Sequence, residues 1–177
     1  MRRENTMKPK AWITAIALAL GLLATPITAM AASPHEKTVG LAAGYVSQNN
    51  SGLAGVNFTY RFSRHFRMAP EVLYAFRHSS EDALIINVNA HVPFSFDRFL
   101  EVYPLAGITY TSWNFHGDRA ANGDADVTSR ISRFGLNVGA GISADISTTL
   151  RVGLEIQGAL VKDLCSANVM AKIAYIF

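Results

Sequence analysis

One glycine-rich segment of the sequence has the spacing of a phosphate-binding motif. Residues 139–144 read GAGISA, which matches the G-x-G-x-x-A pattern of dinucleotide-binding folds. That motif needs a strand, a tight turn and a helix whose N-terminus faces the pyrophosphate. Here the flanking residues continue the alternation of a single strand, without a turn. We therefore predict close packing of strands at this segment and no bound cofactor.

Acidic residues in the long segment 114–130 resemble a calcium loop in composition. Asp118, Asn122, Asp124 and Asp126 carry oxygen ligands, but their spacing departs from the EF-hand pattern and no glutamate closes the loop. The five histidines are scattered along the chain. We expect a solvated surface loop and no metal site, with weak binding of divalent cations as the alternative.

The sequence places no nucleophilic side chain in a clear catalytic arrangement. The sequence His78-Ser79-Ser80 lies on a predicted loop, and no serine–histidine pair shares the outward face of a strand. Cys165 is the single cysteine, which excludes an intramolecular disulfide, and we expect a free thiol without a catalytic role. We therefore predict that the protein is not an enzyme.

The first 31 residues have the three-part pattern of a secretory signal peptide. Residues 1–10 are basic, residues 11–24 are apolar and uncharged, and an A-x-A signal ends at Ala31, before Ala32. An apolar helix of this length reaches about 21 Å, short of a hydrocarbon core of about 30 Å. We predict a signal-peptide helix over residues 1–31, cleaved after Ala31, and one domain over residues 32–177.

The charge of the chain is concentrated in that first segment. Four of the 16 basic residues and one of the 13 acidic residues fall in residues 1–10, which leaves 12 of each sign beyond them. A balanced remainder lacks the basic surface that nucleic-acid binding requires. We expect no nucleic-acid partner.

The remainder of the chain alternates between apolar and polar or small residues with period two, as strands do. Eight such segments occur, at residues 39–46, 54–62, 66–77, 84–94, 100–110, 133–143, 150–161 and 168–177. Short and longer connections alternate between them. The pattern predicts an all-β fold, an eight-stranded antiparallel up-and-down barrel.

The same alternation would suit a soluble barrel with its apolar face inside. Two observations favour a membrane barrel with its apolar face outside. Aromatic residues lie near strand ends on the apolar face, as in interfacial girdles, and the other face is rich in glycine, which suits a crowded lumen. Eight strands of about 9–11 residues also fit the available length.

The predicted lumen carries the charged side chains. They are Arg61, Arg67, Glu71, Arg77, His91, Glu101, Arg133, Arg151, Glu155 and Lys172. Buried charges must be paired or hydrogen-bonded, so we expect ion pairs and a hydrogen bond between His91 and Glu101. Such a lumen is a plug. The alternative is a wet, weakly conducting lumen that favours anions, since positive charges outnumber negative ones.

These features together resemble the small outer-membrane β-barrel proteins, the group of the OmpX and Ail barrels and the OmpA membrane domain, often labelled porin-like. The specific parts are the segment 134–142 and the terminal Ala174-Tyr175-Ile176-Phe177, and the resemblance covers about residues 37–177. It implies a Gram-negative outer membrane rich in lipopolysaccharide, with both termini in the periplasm. It also implies periplasmic chaperones and a barrel-assembly machinery that reads Phe177.

The resemblance does not imply one activity. We expect a monomer with a structural or surface-interaction role through residues 114–130, without a cofactor. Two alternatives stay open at the level of the sequence. The first is a narrow porin-like channel for ions or small solutes. The second is a lipid A-modifying enzyme, an activity that some small barrels have.

Overall fold

A computed structural model describes residues 35–96, 99–116, 128–162 and 164–177 of the chain. The predicted signal peptide and its cleavage site at Ala31 and Ala32 lie outside the described residues, as do Asp118, Asn122, Asp124 and Asp126. Within the described residues, no helix has the length and apolar character needed to cross a membrane.

The described chain forms eight long strands and one two-residue strand. They are β1 Lys37–Val46, β2 Ser51–Ser63, β3 Phe66–His78, β4 Glu81–His91, β5 Phe94–Ser95, β6 Leu100–His116, β7 Thr128–Asp145, β8 Leu150–Val161 and β9 Ser166–Ile176. The short β5 follows β4 and pairs with the start of β6.

All neighbouring strands are antiparallel, and the sheet closes on itself. Chain neighbours pair except β4 and β5, β4 pairs with β6, and β1 pairs with β9 from Thr38 opposite Ile176 to Val46 opposite Asn168. Closure pairs β1 with β9 and β4 with β6, so none of these strands is a free edge of the sheet. The predicted eight-stranded up-and-down barrel is confirmed.

The two faces of the strands separate as the alternation predicts. Apolar side chains cover the outside, where Leu154 is 58% exposed, whereas the neighbouring inward positions are buried, with Asn137 only 1% exposed. Several lumen glycines sit where strands approach closely. At Gly44, for example, an added Cβ would meet the backbone carbonyl oxygen of Val169.

The two ends of the barrel differ. One end, called here the terminal end, holds both Lys37 and Phe177 and the short connections such as residues 64–65 and 146–149. The opposite end, called the loop end, holds the connections 47–50 and 79–80, the end of β6 at His116, the start of β7 at Thr128 and the end of β8 at Val161.

Two strands extend further at the loop end than the sequence predicts. The segment 114–130 was expected to be a loop, but β6 runs to His116 and β7 begins at Thr128, and the two strands pair to their ends. The alternation rule fails here because its phase inverts: the apolar Trp113 is buried on the lumen side, where polar residues were expected.

Candidate functional site in the barrel lumen

The half of the lumen nearest the terminal end holds an extended network of ion pairs, called here the charged network. Its basic members are Arg61, Arg67, Arg151 and Lys172, and its acidic members are Glu36, Glu71, Glu101, Asp145 and Glu155. All of them lie on or next to strands of the barrel wall, so rigid elements hold their backbones in place.

Glu101 neutralises two arginines that face each other across β2 and β3. Arg61 and Arg67 are directly opposite in the strand register, an arrangement of like charges that destabilises a sheet when nothing offsets it. Arg61 donates from Nη2 to both carboxylate oxygens of Glu101 at 2.7 and 2.8 Å, and Arg67 donates from Nη1 at 3.3 Å. The carboxylate therefore holds both guanidinium groups at one place in the lumen.

Lys172 joins two other buried carboxylates. Its Nζ donates to Glu71 Oε2 at 2.8 Å and to Glu155 Oε1 at 2.6 Å. Gln157 Nε2 donates to the same two residues, and Asn87 Nδ2 donates to Glu71 Oε1 at 2.8 Å. Because Glu71 and Glu155 are almost fully buried, these donors replace the water that the carboxylates lose.

Two acidic residues near the terminal end complete the network. Arg151 donates from Nε to Asp145 Oδ1 at 2.5 Å and from Nη1 to Glu36 Oε1 at 2.7 Å. Glu36 also lies 3.8 Å from Arg61 Nε. Arg151 thus connects the residue before β1 to the end of β7.

Arg67 separates His91 from Glu101, so the predicted hydrogen bond between those two residues was wrong. Arg67 donates from Nε to His91 Nδ1 at 3.2 Å and from Nη1 to Glu101. The His91 ring stacks on the Tyr103 ring with centroids 4.6 Å apart. The Arg67 guanidinium carbon lies 4.4 Å from the centroid of the same Tyr103 ring, in cation–π geometry.

The half of the lumen nearest the loop end is mainly apolar. A group of buried apolar side chains, called here the apolar cluster, occupies most of it: Ala42, Val46, Leu53, Leu73, Ala75, Ala83, Ile85, Trp113, Ala159, Val161, Leu164 and Met170. Every residue of the cluster is at most 5% exposed, and Phe115 and Ile131 pack against it. Two polar residues, Thr111 and Asn168, are also buried in this half. The prediction of a polar lumen therefore describes one half of it.

The structure places Arg77 and Arg133 outside the charged network, contrary to their predicted position in the lumen. Both side chains are exposed near the loop end. The register of β3 against β4 shifts between Ala75 and His78, so the alternation loses its phase before Arg77. The pairing of β7 with β8 begins at Gly135 in the described chain, so Arg133, two residues earlier and nearer the loop end, has no partner on β8.

Sequence reasoning missed Glu36 and Asp145 as network members. Glu36 precedes the first alternating segment, and Asp145 was assigned to a turn. With Arg77 and Arg133 outside and these two acids inside, the network has four basic and five acidic residues. The expectation of an excess of positive charge in the lumen was therefore wrong.

A small cavity of about 40 Å³ lies within the charged half. Arg67, His91, Tyr103, Ser143 and Lys172 are among its lining residues. Its volume suits a few water molecules, and the buried His91 Nε2 and Ser143 Oγ, which have no protein partner, are available to hydrogen-bond them. None of the residues of the apolar cluster line this cavity.

Phe177 follows β9 and forms part of the barrel seam. Its backbone N donates to Lys37 O at 2.9 Å, and its ring is exposed on the outside beside that of Tyr175. In the described part of the chain, no group of three or more His, Cys, Asp or Glu side chains has the arrangement of a metal site.

Comparisons with known proteins agree with this architecture. A family model described as outer membrane protein beta-barrel domain matches residues 15–177. The N-terminal β-barrel domain of OprF from Pseudomonas aeruginosa is similar, with a TM-score of 0.64, 14% identity, and coverage of 81% of this chain and 98% of that one.

Two further solved structures are similar. Neisserial surface protein A has a TM-score of 0.64 and 16% identity, with coverage of 84% of this chain and all of that one. The attachment invasion locus protein Ail of Yersinia pestis has a TM-score of 0.59 and 17% identity, with coverage of 82% and 100%. A comparison with curated protein sequences finds no match.

Proposed function

This chain belongs to the outer membrane protein β-barrel domain family, and we propose that it acts as a plugged, non-enzymatic barrel with a structural or surface-interaction role at its loop end. The family and the fold make it an outer-membrane β-barrel protein of the Ail and OmpA type. The contents of the lumen and the side chains exposed at the loop end support the structural or surface-interaction role.

The filled lumen is the observation that carries the proposal. A conducting barrel needs a continuous aqueous path, whereas an eight-stranded barrel has an interior that side chains can fill. Here ion pairs fill the charged half, and the apolar cluster occupies most of the other half. The narrow channel is therefore the second candidate, favoured only by the small polar cavity of about 40 Å³.

The loop end offers a surface for interaction. Arg77, Arg130, Arg133 and Lys162 are exposed there. Their positive charge suits the phosphate groups of lipopolysaccharide in the outer leaflet. We place the loop end at the cell surface and both termini in the periplasm, with Phe177 as the signal read by the barrel-assembly machinery.

A lipid A-modifying activity has less support. Asp82 accepts a hydrogen bond from Asn114 Nδ2 at 3.0 Å and lies 3.4 Å from His116 Nδ1 near the loop end. Asp82 also accepts a hydrogen bond from the Tyr74 hydroxyl at 3.3 Å, but no described serine, threonine or cysteine side chain is hydrogen-bonded to Asp82 or His116. The proposal therefore treats these residues as part of the wall of the barrel and not as a catalytic group.

Planar-bilayer recording of the purified protein tests the proposal. We expect no steady unitary currents, and their appearance would favour the channel. Surface labelling of intact cells at Cys165, which is exposed near the loop end, tests the orientation. A membrane-impermeant maleimide should label it, whereas Thr149→Cys in a Cys165→Ser background should react only after the outer membrane is permeabilised.

A further inference from the structure

The two halves of the lumen differ in their access to solvent. In the charged network, the side chains of Asp145 and Glu36 near the terminal end are 28% and 13% exposed, whereas that of Glu155 further in is fully buried. In the apolar cluster, Trp113 is 1% exposed and Leu73 is fully buried. Water therefore reaches the outer part of the network from the terminal end, whereas the cluster is closed to solvent.

A network of ion pairs can close a lumen and still admit water and ions. Its donors and acceptors can exchange protein partners for water at modest cost, because water-mediated hydrogen bonds are nearly as favourable as direct ones. The cavity in the charged half already provides space beside Arg67 and Lys172. An apolar constriction, in contrast, stops ions because it excludes the water that would hydrate them.

From this difference we infer that the apolar cluster, and not the charged network, is the barrier that keeps the lumen from conducting. The inference rests on the proposed function, since it locates the closure of a plugged barrel. The inference also predicts the ion selectivity of the charged half of the lumen. Five acidic residues against four basic ones favour cations once the barrier is opened.

Trp113 is both the largest side chain of the barrier and its natural reporter. The sequence has two tryptophans, Trp12 and Trp113, and Trp12 lies in the predicted signal peptide. After the predicted cleavage, all tryptophan fluorescence comes from the apolar cluster. In the wild-type barrel we expect blue-shifted emission and little quenching by acrylamide, because Trp113 is in contact with apolar side chains and not with water.

The decisive experiment compares the conductance of two double variants of the purified protein in planar bilayers. Trp113→Ser with Leu73→Ser removes apolar bulk and introduces hydroxyls that retain water. We expect steady unitary currents from this variant, with a reversal potential in a KCl gradient that shows preference for K⁺. The matched control is Lys172→Met with Glu155→Gln, which removes an ion pair from the charged half and should remain silent.

The outcomes separate this inference from the proposed function. Steady currents in the wild type would overturn the proposed function. A silent wild type together with currents in the control and none in the cluster variant would overturn the inference alone, as would currents that prefer Cl⁻. If the cluster variant does not fold, acrylamide quenching of wild-type Trp113 decides: strong quenching means a wet cluster and refutes the inference.

Discussion

The two halves of the lumen fill the same closed barrel with contrasting chemistry. In the charged half, each carboxylate depends on particular donors, as Glu71 depends on Lys172, Gln157 and Asn87. In the apolar half, Leu73 and its neighbours depend only on volume and shape. The charged half is therefore sensitive to the loss of a single partner, whereas the apolar half is sensitive to the loss of a group of atoms.

The largest effect is expected from removing the cation shared by two carboxylates. Lys172→Met leaves Glu71 and Glu155 buried without their cation, and removal of one partner of a buried pair costs about 3–5 kcal/mol. Urea titration of the protein folded in lipid vesicles measures the loss. Adding Glu71→Gln and Glu155→Gln should recover part of it, and failure to recover would mean that the charges are not interdependent.

In the apolar half, Leu73→Ala should destabilise the barrel by about 2–5 kcal/mol, because it removes buried methyl groups and leaves a cavity. The same urea titration measures it. Glu71→Gln with Glu155→Gln should reduce the cost of Lys172→Met, since neutral amides need no cation, but should not change the cost of Leu73→Ala. Equal responses to the two glutamines would show that the two halves are not chemically distinct.

The charged half and the apolar half both lie in the lumen only if the apolar face of the strands faces the lipid. Leu154→Arg on the outer face of β8 should cost about 2–4 kcal/mol near the bilayer midplane. Asn137→Lys on the neighbouring β7 faces the lumen, where Asn137 donates to Asn89 Oδ1 at 3.3 Å, and should cost less. A larger loss for the lumen variant would invert the assignment of the two faces.

A backbone contact in the apolar half gives a smaller effect. Gly44→Ala would place a Cβ against the carbonyl oxygen of Val169 and 2.8 Å from Met170 Cα, and overpacking of this kind costs about 1–3 kcal/mol. Gly52→Ala is the control, because its nearest contact is a movable ring atom of Phe76 at 3.3 Å. Thermal or urea unfolding should separate the two alanines, and equal stability would argue against close strand packing.

The smallest effect is expected for an arginine outside the network. Arg77→Gln changes an exposed side chain and should alter stability by less than about 0.5 kcal/mol. Arg61→Gln, in contrast, removes the two short bonds to Glu101. If the two substitutions have the same effect on urea unfolding, the division between network and surface arginines is wrong.

The strands were predictable from the sequence, since only alternation lets one face contact lipid and the other fill the lumen. The apolar half of the lumen was not, although the alternation puts Leu73, Ile85, Val161 and Met170 on the same face as the lumen charges. The signal lay in their position, because each lies in the part of its strand nearest the loop end. Composition averaged over a face conceals such a change along the strand.

The charged network was predictable in its centre and not at its margins. Glu71, Glu101, Glu155 and Lys172 lie inside strands, where alternation determines the face. Arg77 and Arg133 lie where a register shift or a missing neighbour breaks the alternation. Which donor contacts which carboxylate depends on side chains that are far apart in sequence, as with Lys172 and Glu71, and no local pattern encodes it.

The seam between β1 and β9 pairs the two ends of the described chain. Lys37 and Phe177 exchange backbone hydrogen bonds of 3.3 and 2.9 Å across almost the whole length of the described chain. The entropy of closing so long a loop makes this pairing slow compared with each hairpin. Until it forms, both edges carry unpaired N–H and C=O groups, each costing several kcal/mol in lipid. Entry into the bilayer and closure of the seam must therefore be a concerted, late event, and the seam is where a kinetic trap would arise.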